Sequence, residues 1–332
     1  MNQLKTEKID IHGIPVILVH PPMETGNPAI LYHGWSSRAE YQLTKASILA
    51  VNGYTVFIPE ALYHGERGAL KDFYQKEDYD IFWETIFRNM EEFPFLSDYI
   101  KERYSEKPFI LGHSMGGLSV LGIGSAYGKD VKGIVSFNGS GDWLLNHLFI
   151  QARFGIYVKK DWPLYDEIEK KSPMAHLDTL KDVPIFMTNG DSDGSIDPRA
   201  QAHFYEELVK AGGKAARVVY PLLGHFVTTN MMDDGLQWMD RVRPSRKIES
   251  FGDCQIFYCS AFCLHAEAVF SIKGGLFLSY NKNIITLVAS MFLVASGYTM
   301  VIPFLPLYLG ELGVPDYEIA LWTGLVFSSC FL

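Results

Sequence analysis

The chain has 332 residues, of which 48% are hydrophobic and 20% charged, and its formal net charge is −9. That length suits one large domain or two smaller ones, and the acidic balance lacks the basic patch of a nucleic-acid binder. The averages hide a seam, because residues 250–332 hold only two basic side chains, Lys273 and Lys282, against five acidic ones. A mildly acidic globular part therefore precedes a charge-poor, apolar tail.

The first residues, Met1-Asn2-Gln3-Leu4-Lys5, open no apolar signal segment, which points to a cytoplasmic location for the globular part. Cys254, Cys259, Cys263 and Cys330 all lie in the tail. The globular part therefore has neither a disulfide framework nor a cysteine nucleophile.

Short runs rich in β-branched and aromatic residues occur at 15–20, 29–32, 55–58, 108–111, 131–137, 183–188 and 215–220. Helix-length segments fall between them at 37–52, 73–104, 115–127, 198–212 and 229–243. Strands spaced by helices predict an α/β fold with a mainly parallel sheet covered on both faces. In such sheets the chemistry lies beyond the carboxyl ends of the strands. Residues 141–182 break the rhythm, being aromatic-rich with no clear strand, and are expected to form a small helical cap over the site.

Gly112-His113-Ser114-Met115-Gly116 fits G-x-S-x-G. A strand-like run precedes it and a small-residue helix follows, the context of a nucleophile elbow. Glycines flank Ser114 because the turn leaves no room for side chains on both sides. A serine hydroxyl needs a base to take its proton, and the order in this kind of site is Ser, acid, His. The acid belongs after a later strand, where Asp191, Asp193 and Asp197 are all available. The base belongs after the last strand, where Leu223-Gly224-His225-Phe226 supplies His225. Two backbone N–H groups should hold the oxyanion, that of Met115 after the nucleophile and that of Trp35 in His33-Gly34-Trp35. Pro59-Glu60-Ala61-Leu62-Tyr63-His64-Gly65-Glu66-Arg67-Gly68 lacks the spacing of a metal site and reads as a turn that shapes the pocket. His64, His113 and Trp143 are the expected pocket residues. No metal is expected there.

On these motifs, with Gly190-Asp191-Ser192-Asp193, residues 1–245 resemble the small bacterial esterases of the prolyl-oligopeptidase and dienelactone-hydrolase branch of the α/β-hydrolase superfamily. The resemblance implies that fold and a serine carboxylesterase acting on small or medium acyl esters through an acyl-enzyme, with no metal and no organic cofactor. It also selects Asp193 as the acid, since the family places it three residues after the glycine that ends the strand. Thioester or peptide cleavage are the alternatives. The peptidase reading is weakened because the propeller domain of true oligopeptidases is absent.

In the tail, residues 284–310 run for 27 positions without a charge, enough to span a bilayer. Lys273 and Lys282 precede the run and acidic residues follow it, which predicts a tether to the inner face of the membrane. Residues 279–332 resemble the start of a major facilitator superfamily transporter, the likeness centring on Ile302-Pro303-Phe304-Leu305-Pro306-Leu307-Tyr308-Leu309. One and a half helices cannot form a transport path, so no transport by this chain alone is expected. Residues 246–278 fit neither neighbour. Cys254, Cys259, Cys263 and His265 lack a zinc spacing, and the stretch reads as translated intergenic sequence leading into a transporter reading frame.

Overall fold

The computed structural model describes residues 4–243, apart from 74, 157 and 159–161. The linker at 246–278, the expected span at 284–310 and the transporter-like segment at 279–332 lie outside the described residues. Among the described residues no helix is long and apolar enough to cross a membrane.

The chain begins with a hairpin, β1 (Thr6–Ile11) and β2 (Ile14–Val19), followed by β3 (Asn27–Tyr32), helix α1 (Leu43–Val51) and β4 (Tyr54–Pro59). The long helix α2 (Tyr79–Lys101) leads to β5 (Phe109–His113), α3 (Met115–Tyr127) and β6 (Gly133–Phe137). Three helices come next, α4 (Trp143–Phe154), α5 (Pro163–Lys171) and the single turn α6 (Leu177–Leu180). The last alternation is β7 (Ile185–Gly190), α7 (Pro198–Lys210), β8 (Ala215–Tyr220) and α8 (Thr229–Val242).

The eight strands form one sheet in the order β1-β2-β4-β3-β5-β6-β7-β8. β2 runs antiparallel to both β1 and β4, and every other neighbouring pair is parallel. This is the α/β-hydrolase fold with its mainly parallel sheet. The one strand not expected from sequence is β1. It is an edge strand in which charged residues alternate with half-buried ones, so its pattern is weak. Its clearest mark is the turn His12-Gly13, both at positive φ (54° and 82°), the backbone of a two-residue hairpin.

The sheet is buried on both faces, as its alternation requires. Ile110 and Ile134 face one core with Trp83, Phe93 and Leu118, while Phe109, Leu111 and Val135 face the other with Leu49, Val56 and Trp238. Successive side chains along a strand point to opposite faces, so one run of apolar residues serves both cores. α3 is buried from Met115 to Ser125, which explains its small, apolar composition.

The strand register sets up the site. Tyr32 lies beside Gly112, His113 beside Phe137, Phe137 beside Thr188, and Gly190 beside Tyr220. The loops that leave β3, β5, β6, β7 and β8 therefore emerge side by side along one edge.

Candidate active site

Ser114 stands between β5 and α3 with φ 58° and ψ −118°. A non-glycine residue held there is strained, and the surroundings hold it. Its N–H donates to the Phe137 carbonyl at 3.0 Å. A side chain on Gly112 would overlap the Gly116 carbonyl, and one on Gly116 would overlap the carbonyls of Tyr32 and His33. The two glycines thus let strand, helix and the neighbouring loop approach backbone to backbone, and the strained serine sits where they meet.

From Ser114 a line of hydrogen bonds runs outward. Ser114 Oγ lies 2.8 Å from His225 Nε2, and His225 Nδ1 lies 2.7 Å from Asp193 Oδ2. A carboxylate can only accept, so this geometry assigns the ring proton to Nδ1 and leaves Nε2 to accept from the serine hydroxyl. Asp193 is buried. Its other oxygen accepts from the N–H groups of Ser195 at 2.8 Å and Ile196 at 3.0 Å, which fixes the carboxylate facing the imidazole.

The other two acids are engaged elsewhere. Asp191 accepts from the Leu222 N–H at 2.7 Å and so holds the loop before His225. Asp197 caps α7 by accepting from the Arg199 N–H at 2.9 Å, and it pairs with the Arg199 guanidinium. Gly190 completes this side, because a side chain there would overlap the Leu223 carbonyl. The loops carrying Asp193 and His225 can close on each other only past a glycine.

Met115 is the first residue of α3, so its N–H is one of the donors that a helix start leaves without an intrahelical partner. The His33-Gly34-Trp35 loop lies directly over the elbow. A Cβ on Gly34 would stand 3.3 Å from Ser114 Cβ and 3.2 Å from the His113 carbonyl. His33 Nδ1 donates to the Gly34 carbonyl at 2.9 Å, and its Nε2 lies 3.1 Å from both the Ala61 N–H nitrogen and Glu60 Oε1. Arg67 in turn donates to the Glu60 carbonyl and makes a two-pronged pair with Glu92. The decapeptide from Pro59 thus braces the loop that presents the Trp35 N–H.

The three expected pocket residues fall in different places. His113 lies beside His225, with ring centroids 4.8 Å apart. Burial, with His225 adding to it, holds its pKa well below the ordinary histidine value, so a neutral ring packs there. His64 is buried behind Trp35 and Phe73, with ring centroids 5.0 and 4.7 Å away. Its Nδ1 donates to the Leu62 carbonyl, and burial lowers its pKa to about 4.

Trp143 requires a correction. It is fully buried and packs on Trp83 and Phe87, filling space over Gly122 of α3. The residues of α4 that reach the cavity are Ile150 and Phe154, roughly two or three turns further along at 1.5 Å per residue.

That cavity measures about 370 Å³ and contains Ser114 and His225. Trp35, Phe73, Tyr79, Phe82, Ile150, Phe154, Ile156 and Ile196 form its apolar lining. One residue important to this geometry was not singled out from sequence. Asn138, at φ 48° just after β6, donates from Nδ2 to the Phe226 carbonyl at 2.9 Å. Its own N–H donates to the Thr188 carbonyl. It therefore ties the histidine loop to the middle of the sheet. The only sequence signal was its place after a strand, followed by Gly139-Ser140-Gly141.

Comparison with known proteins agrees with this architecture. The model for the prolyl oligopeptidase family matches residues 40–243. The esterase YjfP of Escherichia coli is 25% identical over 225 residues, covering 63% of this chain and 86% of that protein. The crystal structure of TT1662 from Thermus thermophilus superposes with a TM-score of 0.59 at 20% identity, over 74% of this chain and all of that one. The multidrug resistance protein MdtG of Proteus mirabilis is 44% identical over 55 residues, which are 16% of this chain and 14% of that protein.

Proposed function

The chain belongs to the prolyl oligopeptidase family and is a serine hydrolase, and from that premise we propose that it is a carboxylesterase acting on small or medium acyl esters. The observation that carries this reading is the hydrogen-bonded line from Ser114 through His225 to Asp193 at the carboxyl edge of the sheet. The similarity to YjfP, whose name is esterase, supports the bond type.

Ser114 Oγ attacks the ester carbonyl carbon while His225 Nε2 takes the hydroxyl proton. Asp193 steadies the imidazolium and keeps the ring in one orientation. The N–H groups of Met115 and Trp35 receive the carbonyl oxygen as it becomes an oxyanion, where fixed donors matter most. Collapse of the tetrahedral intermediate expels the alcohol, to which His225 returns the proton, and leaves an acyl-enzyme. Water, activated by the same histidine, then releases the acid.

The test is a fluorophosphonate probe together with p-nitrophenyl acetate. Wild type should be labelled and active. Ser114→Ala should lose labelling and about 10⁴–10⁶ of kcat. Equal labelling of the two would remove Ser114 from its role.

A second reading concerns the tail. The 55 residues shared with MdtG amount to 14% of that protein. We read residues 279–332 as a transporter-like fragment with no transport activity of its own, and 284–310 as a tether holding a cytoplasmic hydrolase to the membrane; the similarity to MdtG supports the transporter-like character alone. Truncation after Pro244 should leave p-nitrophenyl acetate hydrolysis intact and abolish membrane association; loss of folding or activity would make the tail part of the working enzyme.

A further inference from the structure

The aromatic wall of the cavity beside Ser114 has its polar atoms engaged with protein partners. Trp35 Nε1–H donates to the Phe73 carbonyl at 2.7 Å. The Tyr79 hydroxyl lies 2.8 Å from His147 Nδ1. His147 is 1% exposed and packs beside Tyr79 and Trp162, with ring centroids 5.6 and 5.1 Å away. Burial lowers its pKa to about 4, so near neutral pH the ring is uncharged and Nδ1 can accept the phenolic proton. Phe82, stacked on Tyr79 at 6.1 Å, and Ile150 and Phe154 of α4 continue the lining. The remaining polar lining residues are apart from this aromatic wall: Ser36, Gln75 and Lys76 are exposed and Asp78 is half-buried, and Lys76 donates to the Gly155 carbonyl. Ser195 stands at the catalytic end, beside Asp193.

We propose that this cavity takes an apolar group of the ester, aryl or medium alkyl, and that the Tyr79–His147 pair makes it reject the same group bearing a hydroxyl. The inference rests on the ester reading above and adds the substrate class. Tyr79 alone would offer a hydroxyl to the ligand. Held by His147 it presents only its ring. A substrate hydroxyl pressed on that wall leaves water and finds no partner, and burial of an unpaired polar group is unfavourable. Apolar pockets discriminate against an added hydroxyl by about tenfold to a hundredfold, and that is the size of effect expected here.

Methyl esters test this well, since each has one bulky side and that side must use the cavity. The full-length enzyme is compared on methyl 3-phenylpropanoate and on its 3-hydroxyphenyl and 4-hydroxyphenyl counterparts, with p-nitrophenyl acetate as reference. The parent ester should show a kcat/KM about tenfold to a hundredfold above either phenol. His147→Leu removes the acceptor, frees the Tyr79 hydroxyl and should narrow that ratio at least threefold. Should His147→Leu fail to fold, Phe154→Tyr places a hydroxyl at the exposed end of the wall and should narrow it likewise. Phenols turned over within threefold of the parent overturn the proposal, as does a ratio unmoved in the folded variant. Hydrolysis of p-nitrophenyl acetate with no turnover of any bulky ester also overturns it. Failure on every ester, p-nitrophenyl acetate included, counts instead against the ester reading itself.

Discussion

The nucleophile elbow and the cavity wall lie within one site and are built in opposite ways. The elbow is a meeting of backbones. Gly112 and Gly116 bring strand, helix and loop to distances at which a side chain would overlap backbone, and both lie in the short stretch around Ser114. The wall is a meeting of side chains from segments far apart, with Trp35 after β3, Tyr79 and Phe82 on α2, Ile150 and Phe154 on α4, and Ile196 before α7. A backbone constraint leaves its mark as an obligatory glycine at a fixed spacing. A packed wall leaves only apolar residues, which look the same as those of the core.

Variants can sharpen this contrast. The largest effect should fall on the acid. Asp193→Asn should lower kcat by about 10⁴ through loss of the tautomer that leaves Nε2 free. Asp191→Asn should stay within about tenfold, since the Asp191 carboxylate accepts from the Leu222 N–H and the Ser192 hydroxyl and not from His225. Stopped-flow or steady-state kinetics on p-nitrophenyl acetate check both, and equal losses would reverse the assignment. Next comes Asn138→Ala. Freed from the sheet, the histidine loop should drift, so kcat should fall about tenfold to a hundredfold with KM nearly unchanged. A rise in KM alone would place Asn138 in substrate binding instead.

Stability should respond at the floor of α4. Gly122→Ala would put a methyl 2.7 Å from the Trp143 ring, and such overpacking typically destabilises by about 1–3 kcal/mol. Urea unfolding measures it, and an unchanged midpoint would show that Trp143 moves freely.

The smallest effect concerns pH. His64 and His147 are held near 4 by burial, below the ordinary 6.5. Between those values the unfolded chain binds more protons than the folded one. Their contribution is therefore fully present above about pH 6.5 and is lost as pH falls toward 4. His64→Leu should flatten the decline of unfolding free energy across that window, as denaturant titrations at several pH values would reveal.

The strained turn at Ser114, the place of His225 after the last strand and seven of the eight strands are legible along the chain, because each follows from a local rule of spacing, alternation or glycine placement. β1 escaped because an edge strand needs only one half-buried face. The residue pattern left Asp191, Asp193 and Asp197 equal. The family resemblance selects Asp193, and the fold commits Asp191 to Leu222 and Asp197 to the start of α7. Trp143 looked like a pocket aromatic until the space above Gly122 placed it in the core. Asn138 carried no motif, since its role is a contact with a loop 88 positions away. Local sequence determined the backbone turns that create the nucleophile. Tertiary structure decided which acid faces the histidine and which aromatics line the cavity, since both depend on neighbours brought together only by the sheet.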